Sequence, residues 1–125
     1  MLIRFLFLLF LLSCSKDHYT WFYGSVDEAI DLIKSESNKL VLLDFYSDGW
    51  GSCVRLDAET FIDDGVRSFS NSNLVSIKLK PWEDENASDL FDKYNGQAIP
   101  LLIYLNQDGQ EVDRILGFYP PDKYL

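Results

Sequence analysis

The stretch KLVLLDFYS, residues 39–47, constrains the fold more than any other part of the chain. It is almost continuously apolar, and polar residues bound it on both sides. Such a run is typical of a strand that is buried on both faces, as in a parallel sheet, whereas a strand with one wet face alternates apolar and polar residues. The stretch therefore predicts a central sheet with both faces covered.

The segments on either side of this strand extend an α/β pattern. Before it, Ser25 and Glu28 have the spacing of a capping box, and the apolar residues that follow recur at helical spacing. After it, we expect a helix over about residues 53–60 and a second short helical piece in DDGVRSFS, residues 63–70. NLVSIKLK, residues 73–80, alternates and predicts another strand.

The last part of the chain predicts a helix and a hairpin. PWEDENASDLFDKYNG, residues 81–96, is a loop followed by a helix that is capped near Asn86 or Ser88 and stopped by Gly96. A β-hairpin follows in residues 99–118, with an Asp-Gly pair at its turn. The closing YPPDKYL starts another helix with a proline in its first turn. The order of elements is thus helix, strand, helix, strand, helix, strand, strand, with the last two strands antiparallel.

The first residues, MLIRFLFLLFLLSC, have the features of a secretory signal. One basic residue, Arg4, precedes an apolar run that is shorter than the roughly 20 residues a membrane-spanning helix needs. LLSC resembles the bacterial lipobox, in which the cysteine becomes the acylated N-terminus; the alternative is an ordinary signal peptide cleaved nearby, with Cys14 incidental. We expect a lipoprotein signal peptide in residues 1–13, lipid on Cys14 and a tether in residues 14–24.

The charge of the chain excludes several classes of partner. Its 20 acidic side chains outnumber its 11 basic ones, and the formal net charge is −9. Nucleic acid and anionic lipid headgroups repel such a chain, so we expect no nucleic-acid partner and a membrane contact only through lipid on Cys14. The one histidine, His18, lies in the tether, so we expect no metal site, and no sequence motif indicates a cofactor.

DGWGSC, residues 48–53, places a single cysteine where the apolar strand has ended and a helix begins. DFYSDGWGSCVRLDAETF, residues 44–61, together with Ile99-Pro100 and the closing GFYPPDKYL, resembles the thioredoxin superfamily in its periplasmic and lipoprotein branch. The resemblance covers residues 25–125 and implies a thioredoxin-like three-layer α/β sandwich with a central mixed sheet. It also implies a C-terminal helix of which this chain contains only the start, so a truncated gene product is a further interpretation.

In the ungapped register of this resemblance, the two cysteines of the family's CxxC motif fall on Trp50 and Cys53. The attacking thiol is then absent and the resolving one remains. A gapped register that places Trp50 on the family's tryptophan also offers no second cysteine. Dithiol exchange needs one thiol to attack and another to release the mixed disulfide. Because the family shields this second sulfur from solvent, we expect a raised pKa and poor nucleophilicity for Cys53.

Asp44 falls on the family's buried carboxylate, and Pro100 falls on its cis-proline. Cys53 and Asp44 are therefore the candidate catalytic residues. For each of them there is an alternative without chemistry: Cys53 packs as a small apolar side chain, and Asp44 is a retained carboxylate with no proton to shuttle. The other aromatic residues near these segments are expected to serve packing: Tyr46, Trp82 and Tyr119.

In the family, the backbone before the cis-proline pairs with an extended substrate peptide in the manner of strand addition. The candidate peptide-binding groove consists of the five residues that the resemblance places there: Trp50, Gly51, Ser52, Ile99 and Pro100. The alternative is that the proline serves only the fold. Trp50 either faces solvent and binds a partner or folds over Cys53.

Two functions follow from the resemblance. The first is a lipid-anchored thioredoxin-fold module of the bacterial cell envelope that lacks dithiol–disulfide oxidoreductase activity and binds an exported protein or peptide. The alternative is weak thiol–disulfide exchange through the single thiol of Cys53. Ser15 is not the aspartate that is associated with inner-membrane retention in enteric bacteria, which favours the outer membrane.

Replacement of Cys14 tests the lipid anchor. We expect the full chain, expressed in a bacterial host, to incorporate labelled palmitate and the Cys14→Ala variant to lose the label, because the acyl chains attach at this residue. Globomycin should cause the unprocessed wild-type precursor to accumulate. Palmitate label that persists in Cys14→Ala would favour an ordinary signal peptide instead.

Overall fold

The computed structural model describes residues 18–36 and 38–125. The expected signal peptide in residues 1–13, the proposed lipid site Cys14 and the start of the tether lie outside the described residues. The helices and strands follow one another in this order: α1 Val26–Lys34, β1 Leu40–Phe45, α2 Gly51–Arg55, a π-helical turn Leu56–Thr60, α3 Asp64–Asn73, β2 Leu74–Leu79, α4 Glu85–Lys93, β3 Leu101–Leu105, β4 Glu111–Leu116 and α5 Pro121–Tyr124.

The strands form one mixed sheet in the order β2-β1-β3-β4. β1 pairs in parallel with β2 and antiparallel with β3, and β4 extends the sheet antiparallel to β3. Helices α1 and α4 pack on one face, while the π-helical turn, α3 and α5 pack on the other. The predicted three-layer α/β architecture with a central mixed sheet is confirmed.

β1 supplies side chains to both layers of the core. Val41, Leu43 and Phe45 belong to the core beneath α1 and α4, whereas Leu42 belongs to the core on the other face. Since alternate residues of a strand point to opposite faces, Asp44 shares the face of Leu42. The predicted burial of this strand on both sides is confirmed, and it carries a carboxyl group into the interior.

Helix α1 begins as its sequence predicts, while two other elements differ from expectation. The Ser25 hydroxyl and the Glu28 side chain form the complete capping box. The prediction that α4 is capped near Asn86 or Ser88 is wrong, because the Asp84 carboxylate accepts a hydrogen bond from the Asn86 N–H and caps the helix earlier. Helix α2 also begins earlier than predicted, at Gly51.

The alternation predicted for β2 is wrong for its first half, which is buried on both faces. The reason is that residues 18–22, from the predicted tether, lie along its outer edge. Trp21 forms a parallel bridge with Ser76, and the Phe22 N–H donates to the Ser76 carbonyl at 2.7 Å. The Tyr19 hydroxyl lies 2.8 Å from the Ser76 hydroxyl, so the buried serine is satisfied.

Aromatic contacts hold this segment in place. Tyr19 stacks on Trp21 with ring centroids 4.3 Å apart, and the Trp21 ring meets the edge of Phe61 at 5.2 Å. The end of the predicted tether is therefore part of the folded unit. Within residues 18–36 and 38–125, no helix combines the length and the apolar character that spanning a bilayer requires.

The Trp21→Ala variant tests how much this segment contributes to stability. We expect the free energy of unfolding to fall by about 2 kcal/mol, because the stack and the edge contact are lost together. Urea denaturation of the domain measures the change. Tyr23→Ala is the matched control, since Tyr23 is 95% exposed and should change stability little. Equal effects of the two substitutions would contradict a structural role for the segment.

Candidate functional site

The candidate thiol site lies where β1 gives way to α2. Gly49 takes a positive φ of 75°, which turns the chain after the strand. Trp50 then occupies the position that caps α2, and its side chain makes no capping hydrogen bond. Its indole is 58% exposed. An aromatic side chain thus stands in the open at the helix start, where the resemblance places the attacking thiol of the family.

Cys53 lies one helical turn further along and is only 2% exposed. Burial raises the pKa of its thiol, and the nearby negative charges of Asp44 and Asp57 add to that rise. The backbone of Ser47 opposes it by hydrogen bonding to the sulfur. The raised pKa expected from the sequence is confirmed, and the sulfur is held as a shielded thiol rather than as an exposed thiolate.

A cluster of three charged groups lies beneath the start of the helix. The Lys78 ammonium is 3.3 Å from the Asp44 carboxylate and 2.9 Å from that of Asp57, which the π-helical turn carries. In the parallel register of β1 and β2, Asp44 and Lys78 are direct partners. The ammonium also lies 4.1 Å from the centre of the Tyr46 ring. One cation is therefore shared between two carboxylates and an aromatic face.

The pKa values of the cluster follow from burial and from this unequal number of charges. Burial raises the pKa of Asp44 to about 6, against the opposing attraction of Lys78 and with a further rise from Asp57. Burial also opposes the charge of Lys78, but the two carboxylates outweigh it and raise its pKa. One Asp44 oxygen, Oδ1, has no hydrogen-bond partner among the described residues. The Asp44 carboxyl therefore keeps its proton to a higher pH than an exposed aspartate does.

A cavity of about 440 Å³ opens beside Trp50. The residues that line it come from three loops at this end of the sheet: Ser47, Trp50, Trp82, Gln97, Ala98 and Ile99. Of the five residues predicted to form a groove, the structure brings Trp50 and Ile99 together here. Gly51, Ser52 and the buried Pro100 do not line this cavity.

Trp82 is the residue that the sequence interpretation misplaced. It is 66% exposed and touches Phe91 only edge-on, with ring centroids 5.9 Å apart. Its assignment to packing is therefore wrong. The available signal was an indole within KPWEDE, a stretch of charged residues that offers no apolar surroundings. Lys78 and Asp57 were also missed, because their contact with Asp44 depends on strand register and on the π-helical turn.

The Ile99-Pro100 peptide bond is cis, and the segment before it keeps free backbone groups. Pairing of β3 with β1 begins at Leu101, and among the described residues neither polar backbone group of Ile99 takes part in a backbone hydrogen bond. The Pro100 carbonyl, by contrast, accepts from the Gly117 N–H at 2.8 Å. Ile99 is thus the point beside the cavity where an added strand can pair.

No group of three or more histidine, cysteine, aspartate or glutamate side chains within residues 18–36 and 38–125 converges closely enough to hold a metal ion. The Asp44 carboxylate is paired with the Lys78 ammonium rather than with other metal-ligating side chains. What the site offers chemically is a shielded thiol, a buried carboxyl whose pKa is raised to about 6, and an aromatic cavity beside free backbone.

Four features together define the class of thioredoxin folds. They are a mixed sheet, a cysteine in the first turn of the helix after β1, a buried aspartate on that strand, and a cis-proline at the same end of the sheet. The chain belongs to the thioredoxin-like domain family, whose model matches residues 26–125. The resemblance inferred from the sequence is confirmed.

Known relatives carry the same fold. The chain is 31% identical over 97 residues to the thiol:disulfide interchange protein DsbD of Pasteurella multocida, a match covering 75% of this chain and 17% of that protein. A putative disulphide-isomerase from Bacteroides thetaiotaomicron is 29% identical, with a TM-score of 0.71, and 86% of this chain and 88% of that one are covered. The reduced DsbD C-terminal domain of Neisseria meningitidis is 27% identical, with a TM-score of 0.64 and coverage of 78% and 85%. The matched part of the chain covers only 16% to 24% of the length of these DsbD proteins.

The Asp44→Asn variant tests the buried carboxyl. Its pKa is raised in the folded state, so its contribution to stability is complete below about pH 4 and is lost as the pH rises through about 6. We expect Asp44→Asn to be more stable than wild type at pH 7.5 by up to about 3 kcal/mol, and no more stable at pH 4. Lys78 keeps Asp57 as a partner in this variant.

Urea denaturation between pH 4 and pH 7.5 measures the difference between variant and wild type. The control is Asp92→Asn, which removes one exposed carboxylate from α4 and should leave the pH dependence unchanged. A stability difference that is the same at every pH would show that Asp44 is ionised in the folded state throughout this range.

Proposed function

We propose that this chain is a thioredoxin-fold binding module that holds an extended segment of an exported protein and does not carry out dithiol–disulfide exchange. One observation carries the proposal: an exposed indole, Trp50, stands at the start of α2, while the thiol of Cys53 is almost completely shielded. The family's fold is present, and the group that would begin its chemistry is replaced by a group that binds.

The absence of exchange follows from the requirements of the reaction. A thiolate must attack a disulfide sulfur, and a second thiol must then release the mixed disulfide. Trp50 has no ionisable nucleophile. Cys53 is buried with a raised pKa, so its thiolate fraction at neutral pH is small, and no second cysteine lies in residues 15–125 to release a mixed disulfide.

The binding role rests on the cavity beside Trp50. Its volume of about 440 Å³ suits one or two apolar side chains, and Trp50 and Trp82 supply exposed aromatic walls. The free backbone of Ile99 lies at its rim, where an extended chain can add as a strand. The partner is therefore an extended segment with an aromatic or large aliphatic side chain for the cavity.

The bacterial cell envelope is the proposed location. The lipobox-like LLSC supports a lipid on Cys14, and Ser15 supports the outer membrane over the inner one. Relatives named as thiol:disulfide interchange proteins support a setting in which partners carry thiols and disulfides. The membrane contact is through the acyl chains alone, because a net charge of −9 repels anionic headgroups.

Insulin reduction by dithiothreitol separates this proposal from weak exchange through Cys53. We expect the wild-type domain and Cys53→Ser to give the same rate as the reductant alone, because neither can complete an exchange cycle. An accelerated rate in wild type that Cys53→Ser abolishes would overturn the proposal and establish the weak thiol enzyme.

Binding is tested with a matched pair of substitutions. The probe is the insulin B chain, reduced and capped with iodoacetamide so that it is unfolded and bears no reactive thiol. We expect Trp82→Ala to weaken binding about tenfold, because one aromatic wall of the cavity is lost. Tyr23→Ala removes an exposed aromatic outside the cavity and should bind as wild type does. Equal binding by both variants would contradict the assigned cavity.

A further inference from the structure

A second cavity, of about 650 Å³, lies on the opposite face of the sheet from Cys53, between α1 and α4. We call it the α1–α4 groove. Its lining includes apolar side chains from both helices and from β2: Val26, Ile30, Ile77, Leu79, Leu90 and Tyr94. All of these except Ile77 are only partly buried, so the groove presents apolar surface to solvent.

The shape of the groove is fixed by contacts around Tyr94. The Tyr94 hydroxyl donates to the Gly109 carbonyl at 2.9 Å, which joins the end of α4 to the turn between β3 and β4. Gly109 has a positive φ of 73°, and a Cβ there would lie 3.3 Å from the Cδ1 atom of Ile30. The turn therefore packs closely on α1, and the groove is a built feature of the fold.

The rim of the groove is acidic. Lys93 is the single basic side chain in its lining. Four aspartates also line it: Asp27, Asp84, Asp89 and Asp108. Asp84 is engaged as the cap of α4, but none of the four takes part in an ion pair with a described residue. Burial raises the pKa of Tyr94, and the negative charges of Glu111 and then of Asp27, across the groove, add to the rise.

The arrangement of these charges selects the chemistry of the occupant. Within the described part of the chain the carboxylates do not converge on one point as metal ligands would. The occupant therefore carries several separate positive charges. A net charge of −9 disfavours nucleic acid, anionic lipid and a second copy of this chain. The apolar side chains at the bottom of the groove, which we call its floor, require in addition that the occupant carry an uncharged, apolar group between its cationic ones.

We propose that the α1–α4 groove docks a cationic polypeptide segment in which lysine or arginine residues flank a large apolar side chain. The apolar side chain occupies the floor near Ile30 and Leu90, and the basic residues pair with the rim aspartates. Because the groove and the cavity beside Trp50 share no lining residue, both can be occupied at once. The docking site is independent of the peptide-binding role proposed above.

Titration of the isotope-labelled chain with a synthetic peptide tests the proposal by chemical-shift mapping. The peptide has one leucine between two pairs of lysines and carries blocked ends. We expect shift changes to cluster at Ile30, Leu90 and Tyr94. A peptide with serine in place of the leucine should bind at least about fivefold more weakly, because the floor contact is lost.

Two double variants with equal net charge provide the control. Asp27→Asn with Asp89→Asn removes two rim charges and should weaken binding about fivefold at moderate salt. Asp92→Asn with Asp122→Asn removes two charges outside the groove and should bind as wild type does. The spectra themselves report whether each variant is folded.

Three results would overturn the proposal. The first is shift changes that cluster at Trp50 and Ile99, which would assign the peptide to the other cavity. The second is equal weakening by the two double variants, which would reduce the effect to overall charge. The third is spermidine binding as tightly as the leucine peptide, which would identify a site for small polycations rather than for a polypeptide.

Discussion

The burial of β1 on both faces is the constraint on which the rest of the molecule depends. A strand that feeds two cores cannot leave any side chain in water, so Asp44 is held in the interior. Burial of an unpaired carboxylate costs free energy. Here Lys78 on the partner strand forms an ion pair with Asp44 and a second one with Asp57. The same interior shields Cys53, which lies within range of those charges. The state of the thiol is thus set by the strand beneath it.

Local chemistry explains which parts of this fold the sequence predicts well. The capping box at Ser25, the apolar run of β1 and the hairpin turn before Gly109 each depend on residues close together in the chain. The capping residue of α4 was missed because Asp84, Asn86 and Ser88 are all good caps, and only the geometry of the loop selects among them.

The remainder of the site depends on contacts between distant segments. The pairing of Lys78 with Asp44 requires the parallel register of two strands, and the burial of β2 requires residues 18–22 along its edge. Trp82 meets the cavity of Trp50 only because two loops come together there. Sequence periodicity carries no information about such meetings. The position of Trp50 at the head of α2 was the exception, because the family register points to it directly.

With lipid on Cys14, as proposed, the docked segment at residues 18–22 would also restrain where the domain lies relative to a membrane. Only three residues, 15–17, lie between the proposed lipid site Cys14 and His18, whose carbonyl accepts a hydrogen bond from the Asn71 side chain. The four residue steps from Cys14 to His18 span at most about 14 Å. Lipid on Cys14 would therefore connect the edge of β2 to the bilayer through a short linker. The domain would lie close to the bilayer in a restricted orientation.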